Sequence, residues 1–168
     1  FFVSIYEWNK MVKKNELKVL GTLFLIFSFY TFYEITNTDL WIFVLLICVS
    51  TDIGGYVFGK LFKGPKLTKI SPNKTYSGMI GGYLLSLIFL KLFFDFYNSS
   101  VNEEWFIVTI LISTVSQIGD IIVSYYKRIS KVKDTGKIIP GHGGLLDRID
   151  GMIFAFPIFF LIQLTSFI

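Results

Sequence analysis

Residues 40–59 read LWIFVLLICVSTDIGGYVFG, and Asp52 is the only charged residue among them. A helix that crosses a bilayer needs about 20 consecutive, mostly apolar residues. This stretch has that length, so it is expected to span a membrane with one acid inside it. Four further stretches qualify at or near the same length: 17–33, 78–97, 105–126 and 151–167. Only 17% of the chain is charged, 53% is hydrophobic and mean hydropathy is +0.62, against roughly 25% charged residues in a soluble domain. The expected fold is all-α, a polytopic membrane protein with about five transmembrane helices and two polar cytoplasmic loops.

The charges support an orientation. Lys and Arg collect on the cytoplasmic side of membrane proteins. If five helices alternate, fifteen of the sixteen basic residues fall on one side, in 10–18, 60–74 and 127–148. The exception, Lys91, lies within the third span, where a long side chain can snorkel or pair with Asp95. The opposite side receives Asn37-Thr38-Asp39 and the turn NSSVNEE.

Cys48 has no second cysteine to pair with, which excludes a disulfide framework, and it reads as a small apolar packing residue. The apolar opening FFVSIY is expected to be the end of an earlier membrane helix of a longer protein. Residues 1–16 then read as the end of that region plus a cytoplasmic linker, and 17–168 as the C-terminal membrane domain.

The polar chemistry is concentrated in 133–150, KDTGKIIPGHGGLLDRID, which holds three acids, three bases, four glycines and the chain's only histidine. Glycines on both sides of His142 deny it a helix interior and would let backbone amides approach a ligand. His142 itself suits a phosphate hydrogen bond or proton transfer near neutral pH, or an ordinary structural role. Asp147 and Asp150 are three apart, so a helix presents both on one side. Upstream, Asp120, Ser124 and Lys127 fall on one helix face, with Asp120 roughly 9 Å below the helix end. Asp52 lies at similar depth from the same membrane face, so the two acids are expected to share a polar pocket. The alternative is two unrelated packing acids satisfied by Ser and Thr neighbours. Carboxylates with substrate phosphates suit Mg²⁺, and the nearby Lys and Arg would neutralise a polyphosphate or anionic lipid. In the other loop, Ser71-Pro72-Asn73-Lys74 forms a turn ahead of Gly78, where amides at a helix start can accept an anion.

These residues resemble the signature of the phosphatidate cytidylyltransferase (CDP-diacylglycerol synthase) family. The match reads Ser124, Lys127-Arg128, Lys133-Asp134, Gly136, Pro140, His142-Gly143-Gly144, Asp147-Arg148 and Asp150. DIGGYVFGKLF from Asp52 and KISPNKT from Lys69 agree as well, and Tyr6-Glu7-Trp8 more loosely. The chain departs at Ser77 and Val123, where the family usually carries glutamates, and mildly at Tyr126.

The resemblance implies transfer of a cytidylyl group from CTP to phosphatidate in a bacterial-type inner membrane, with the site facing the cytoplasm. It implies Mg²⁺ as cofactor, a second cation being an open alternative. Asp120 and Asp147 are the metal ligands it suggests, with Asp150 and Asp134 next. Lys127, Arg128, Lys133, His142 and Arg148 would handle phosphate charge. Asp52, Ser71, Asn73, Lys74, Ser124, Gly143 and Gly144 would contact substrate. The partners are then CTP, phosphatidate and the bilayer, with no nucleic acid, and a homodimer is a family expectation only. Competing readings are a CTP-dependent polyprenol or lipid kinase, a membrane transporter or scaffold, and a degenerate homologue without activity.

Overall fold

The computed structural model describes residues 1–139, 141 and 143–165. Seven helices follow in order: α1 (Phe2–Met11), α2 (Asn15–Ile35), α3 (Leu40–Phe62), α4 (Tyr76–Phe96), α5 (Glu103–Ile129), α6 (Leu146–Ile149) and α7 (Met152–Leu164). No strand forms among the described residues. Two isolated bridges, Lys66 with Thr75 and Ile139 with Gly143, close the two polar loops on themselves.

Helices α2 to α5 contain 21, 23, 21 and 27 residues, and all four are apolar and long enough to cross a membrane. At about 1.5 Å per residue, the shortest of them covers the roughly 30 Å hydrocarbon core. Large side chains such as Leu23, Ile53, Ile88 and Ile107 stay exposed on their outer faces, as a lipid-facing surface requires. This is an integral membrane protein.

The fifth expected span is shorter than read. α7 has 13 residues, about 20 Å of helix. Asp150 and Gly151 also hold right-handed helical torsions, so the backbone turns helically from Leu146 through Leu164. Pro157 lies inside α7 and has no N–H to donate to the preceding turn.

Local signals set the helix ends. Thr75 caps α4 by accepting from the Gly78 N–H at 3.1 Å, and Asn102 caps α5 by accepting from Trp105 at 3.1 Å. Glu103 and Glu104 occupy the first turn of α5, and Lys127 and Arg128 its last, matching the helix dipole at both ends. α3 stops at Lys63, which takes the left-handed conformation at φ 45°.

α3 and α4 approach until their backbones touch. A Cβ on Gly54 would lie 2.3 Å from the Gly81 carbonyl, and one on Gly78 2.5 Å from the Gly55 carbonyl. Small residues allow such contact between membrane helices, whose association depends on close packing. Away from the loops, Phe43, Ile47, Cys48, Ile112 and Phe159 form the main core, each at 0% exposure. A second cluster of Trp8, Met11, Leu25, Val123, Leu146 and Ile153 lies at the loop end and joins α1 to α2, α5, α6 and α7.

Candidate active site at the loop end of the bundle

The long polar loops, 63–75 and 130–145, meet at one end of the bundle because α3, α4 and α5 run alternately up and down. Contacts between the loops and α5 confirm it. Lys74, just before α4, forms an ion pair with Asp120 of α5. Asp120 also accepts from the Ser124 hydroxyl at 3.3 Å, one turn along the same helix face. Two acids expected to meet do so, since Asp52 and Asp120 form a common wall between two cavities.

One cavity, about 320 Å³, is lined entirely by charged residues: Asp52, Asp120, Lys127, Asp134, Asp147, Arg148 and Asp150. The other, about 300 Å³, takes Ser71, Asn73 and Lys74 from the first loop, with Tyr56, Met79 and Gln117 supplying less polar walls. Twelve of the sixteen residues singled out from the sequence line one of the two cavities or bond to residues that do. His142 lies outside the described residues.

Asp147 is the centre of the second loop. Its Oδ1 accepts from Lys127 Nζ at 2.9 Å, and its Oδ2 accepts from the N–H groups of Thr135 at 2.8 Å and Gly144 at 2.9 Å. Burial raises the Asp147 pKa, but the Lys127 hydrogen bond and the Gly144 and Thr135 amides outweigh it, so the carboxyl sits below the usual carboxylate range. Asp150 behaves oppositely. Burial, then the charge of Asp120, pushes its carboxyl up to about 8, with Lys127 opposing from 4.0 Å.

The glycines in this loop have a different task from the one expected. The Gly144 N–H serves Asp147 rather than an incoming ligand, and the Gly143 carbonyl accepts from Ile139 at 3.0 Å. Gly143 holds φ 85°, and a Cβ there would lie 2.9 Å from Asp147 Oδ2. Only glycine suits both the torsion and the space.

Arg128 and Lys133 are placed away from the acidic cavity. Arg128 is exposed and donates to the Val132 carbonyl at 3.2 Å. Lys133 lines a neighbouring groove of about 550 Å³ with Lys10 and Lys137, and only Asp134 is shared between groove and cavity. Positive-inside counting identifies such residues as near the site but gives no direction for their side chains.

The two positions of departure are also resolved. Val123 is 2% exposed in the apolar cluster with Trp8 and Leu146, one turn from both Asp120 and Lys127 on α5. Ser77 accepts from the Gly64 N–H at 3.2 Å and shares a hydrogen bond with Thr75. Neither lines a cavity wall carrying the acids.

One residue was missed. Glu7 of α1 is 0% exposed and accepts from the N–H groups of Leu145 at 3.1 Å and Leu146 at 2.8 Å, and from the Thr135 hydroxyl at 3.3 Å. Its signals in the sequence are a lone acid in an apolar stretch and the loose resemblance at Tyr6-Glu7-Trp8, and neither gave it a role.

As a holder of Mg²⁺, the cavity offers carboxylate oxygens only, which is the donor chemistry of a hard cation. Among the described residues no three His, Cys, Asp or Glu side chains are close enough together to enclose a metal ion. Both candidates have both oxygens engaged: Asp147 by Lys127, Thr135 and Gly144, and Asp120 by Lys74 and Ser124. This set fits an ion held by one or two carboxylates and completed by substrate phosphates and water.

Fold and site together define a polytopic membrane protein with a charged cavity at the loop end of its spanning bundle. The model of the Cytidylyltransferase family matches residues 2–166, and the chain belongs to that family. It is 36% identical over 171 residues to a phosphatidate cytidylyltransferase of Rickettsia felis, covering 94% of this chain and 75% of that protein. To the protein of the same name from Staphylococcus aureus strain COL it is 38% identical over 170 residues, covering 93% of this chain and 64% of the relative. A Rickettsia conorii relative of that name is 34% identical, with 74% of its length covered.

Proposed function

We propose that this protein transfers the cytidylyl group of CTP to phosphatidate, giving CDP-diacylglycerol and pyrophosphate, at the cytoplasmic face of the membrane. The observation that carries the reading is the pair of cavities sharing the Asp52–Asp120 wall at the loop end of a spanning bundle. A water-soluble nucleotide can reach that depth from solution and a lipid headgroup from the bilayer. The relatives' names supply the substrates, and the lysine-rich loops supply the orientation.

In this reading a phosphate oxygen of phosphatidate attacks the α-phosphorus of CTP. The bond from that phosphorus to the bridging oxygen breaks, and pyrophosphate leaves. The phosphate monoester is already a competent nucleophile, so the protein's work is positioning and charge neutralisation. Lys74 approaches from the first loop, and Lys127 and Arg148 from the second. Asp120 and Asp147 are the residues that would hold Mg²⁺, with Asp52, Asp134 and Asp150 lining the same cavity; Asp120 would have to release Lys74 or Ser124, and Asp147 Lys127 or an amide. Bound there, the ion would offset charge on the phosphates and the leaving group.

The test uses membranes containing the protein, phosphatidate, Mg²⁺ and CTP labelled at either the α- or the γ-phosphorus. Label entering the organic phase from α-labelled CTP alone supports cytidylyl transfer. Label entering lipid from γ-labelled CTP would replace this reading with a lipid kinase. Absence of both, with folded protein in the membrane, would overturn it.

A further inference from the structure

We infer that Glu7 is a positioning residue for the catalytic loop, through which α1 sets the geometry of Asp147 and Lys127. The inference rests on the proposed reaction only for its kinetic arm. Glu7 Oε1 accepts from Leu145 N–H, while Oε2 accepts from Leu146 N–H and the Thr135 hydroxyl. Thr135 turns its N–H the other way, to Asp147 Oδ2, and Gly144 N–H joins it there. Two carboxylates therefore grip the same turn from opposite sides. The second of them completes the path by accepting from Lys127 of α5.

A fully buried carboxylate is costly unless its hydrogen-bonding capacity is used. Here the loop is moulded around it. A Cβ on Gly136 would lie 2.3 Å from Glu7 Oε1, and a Cβ on Gly144 2.6 Å from the same atom. α1 is held in turn by the Trp8 indole, whose N–H donates to the Leu17 carbonyl at 3.2 Å and whose ring meets Tyr126 of α5 at 5.1 Å. The Trp8 ring also fills the space over Gly21 of α2, where a Cβ would come within 2.0 Å of it. Helix, carboxylate and loop form one unit, in which Thr135 and the 144–146 turn lie between Glu7 and Asp147.

Glutamine at position 7 can accept at one atom only, so its NH₂ must face either the Leu145 N–H or the donors of Leu146 and Thr135. The experiment compares the full protein in lipid nanodiscs with Glu7→Gln and with Thr135→Val, which removes only the hydroxyl donor and serves if Glu7→Gln does not fold. Hydrogen exchange of the peptides spanning 133–150 is read first, then kcat and KM for CTP. In Glu7→Gln, exchange at Leu145 and Leu146 is expected to rise about tenfold or more. The expected kinetic split is a fall in kcat of about tenfold with KM for CTP within about threefold. Combining Glu7→Gln with Asp147→Asn is expected to cost no more than Asp147→Asn alone, because the first acts through the second. Unchanged exchange in a folded variant would overturn the anchoring, and faster exchange with unchanged kcat would overturn the positioning role. Fully multiplicative losses in the double variant would do the same. If the unsubstituted protein transfers no cytidylyl group, the proposed reaction fails, and the exchange data still decide whether Glu7 holds the loop.

Discussion

Lys127 Nζ and Asp147 Oδ1 lie 2.9 Å apart, 20 residues apart in sequence, with side chains only 10% and 9% exposed. Breaking a buried pair strands the surviving charge, which typically costs about 3–5 kcal/mol. Asp147→Asn and Lys127→Met are each expected to lower the thermal midpoint in detergent and to reduce transfer about 100-fold or more. The double variant should be no less stable than the worse single one. Melting curves and single-turnover assays check this, and additive destabilisation would show that the pair is not coupled.

The Lys74–Asp120 pair joins the first loop to α5 across the wall between the cavities. Lys74→Ala is expected to raise KM for CTP about tenfold, with a smaller effect on kcat, because a phosphate-facing charge is lost while the acids remain. Steady-state kinetics at fixed phosphatidate measures the split. An effect on kcat alone would place Lys74 at the reacting phosphorus instead.

Gly141 and Gly143 separate two costs of the same substitution. Both have positive φ, 74° and 85°, but a Cβ on Gly141 meets nothing within 4 Å, while one on Gly143 meets Asp147. Gly141→Ala should cost only left-handed strain, about 1–2 kcal/mol, with kcat near that of the unsubstituted protein. Gly143→Ala should carry the same strain and also lower kcat, by displacing the Asp147 carboxylate. Equal kcat values for the two variants would contradict the assigned contact.

Val123 stands where the resemblance leads one to expect an acid, and placing one there is not expected to help. Val123→Glu would bury an unpaired carboxylate among Trp8, Leu25 and Leu146, at a cost of several kcal/mol. The expected result is lower stability with no gain in transfer or in Mg²⁺ affinity. Higher activity in that variant would mean that the new carboxylate leaves the apolar cluster and reaches Lys127, one turn along α5.

The Asp150 carboxyl is pushed up to about 8 by burial and the charge of Asp120, above the roughly 3.9 of a free aspartate. Between those values the unfolded chain releases a proton that the folded chain keeps, so stability falls as pH rises and levels off above the folded value. In EDTA, the thermal midpoint should therefore drop from pH 6 to pH 8.5, and Asp150→Asn should flatten that drop. Parallel curves for the two proteins would show that Asp150 does not titrate in this window.

Much of the architecture was legible because membrane spans are long and compositionally plain. The spacing of Asp120, Ser124 and Lys127 gave one helix face, and the structure places all three toward the loop end, with Ser124 bonded to Asp120 and Lys127 to Asp147. Asp52 and Asp120 could be matched by counting residues from the helix ends. Loop side chains resisted such counting. The direction of Lys133 depends on backbone torsions around Ser130 and Lys131, the latter at φ 58°, which no periodicity encodes, whereas Arg128 is turned off the Asp120 face by its own position in the last turn of α5. Glu7 had no legible role for another reason, since its partners, two backbone amides and the Thr135 hydroxyl, lie 128 to 139 residues away, and an amide leaves no residue type to read. The last helix starts within one residue of the expected span, and the difference lies at its C-terminal end, at Leu164.

The glycine contact between α3 and α4 has a consequence for how such a site can diversify. Gly54, Gly78 and Gly81 leave no room for even one added methyl group without parting two backbones or moving Phe58. Asp52 sits on one of those helices and Lys74 just ahead of the other, so that wall of the pocket is inherited as a fixed casting. New substrate preferences in proteins built this way have to be written into the loop around Ser71 or into the opposite side formed by α5, α6 and the 130–145 loop.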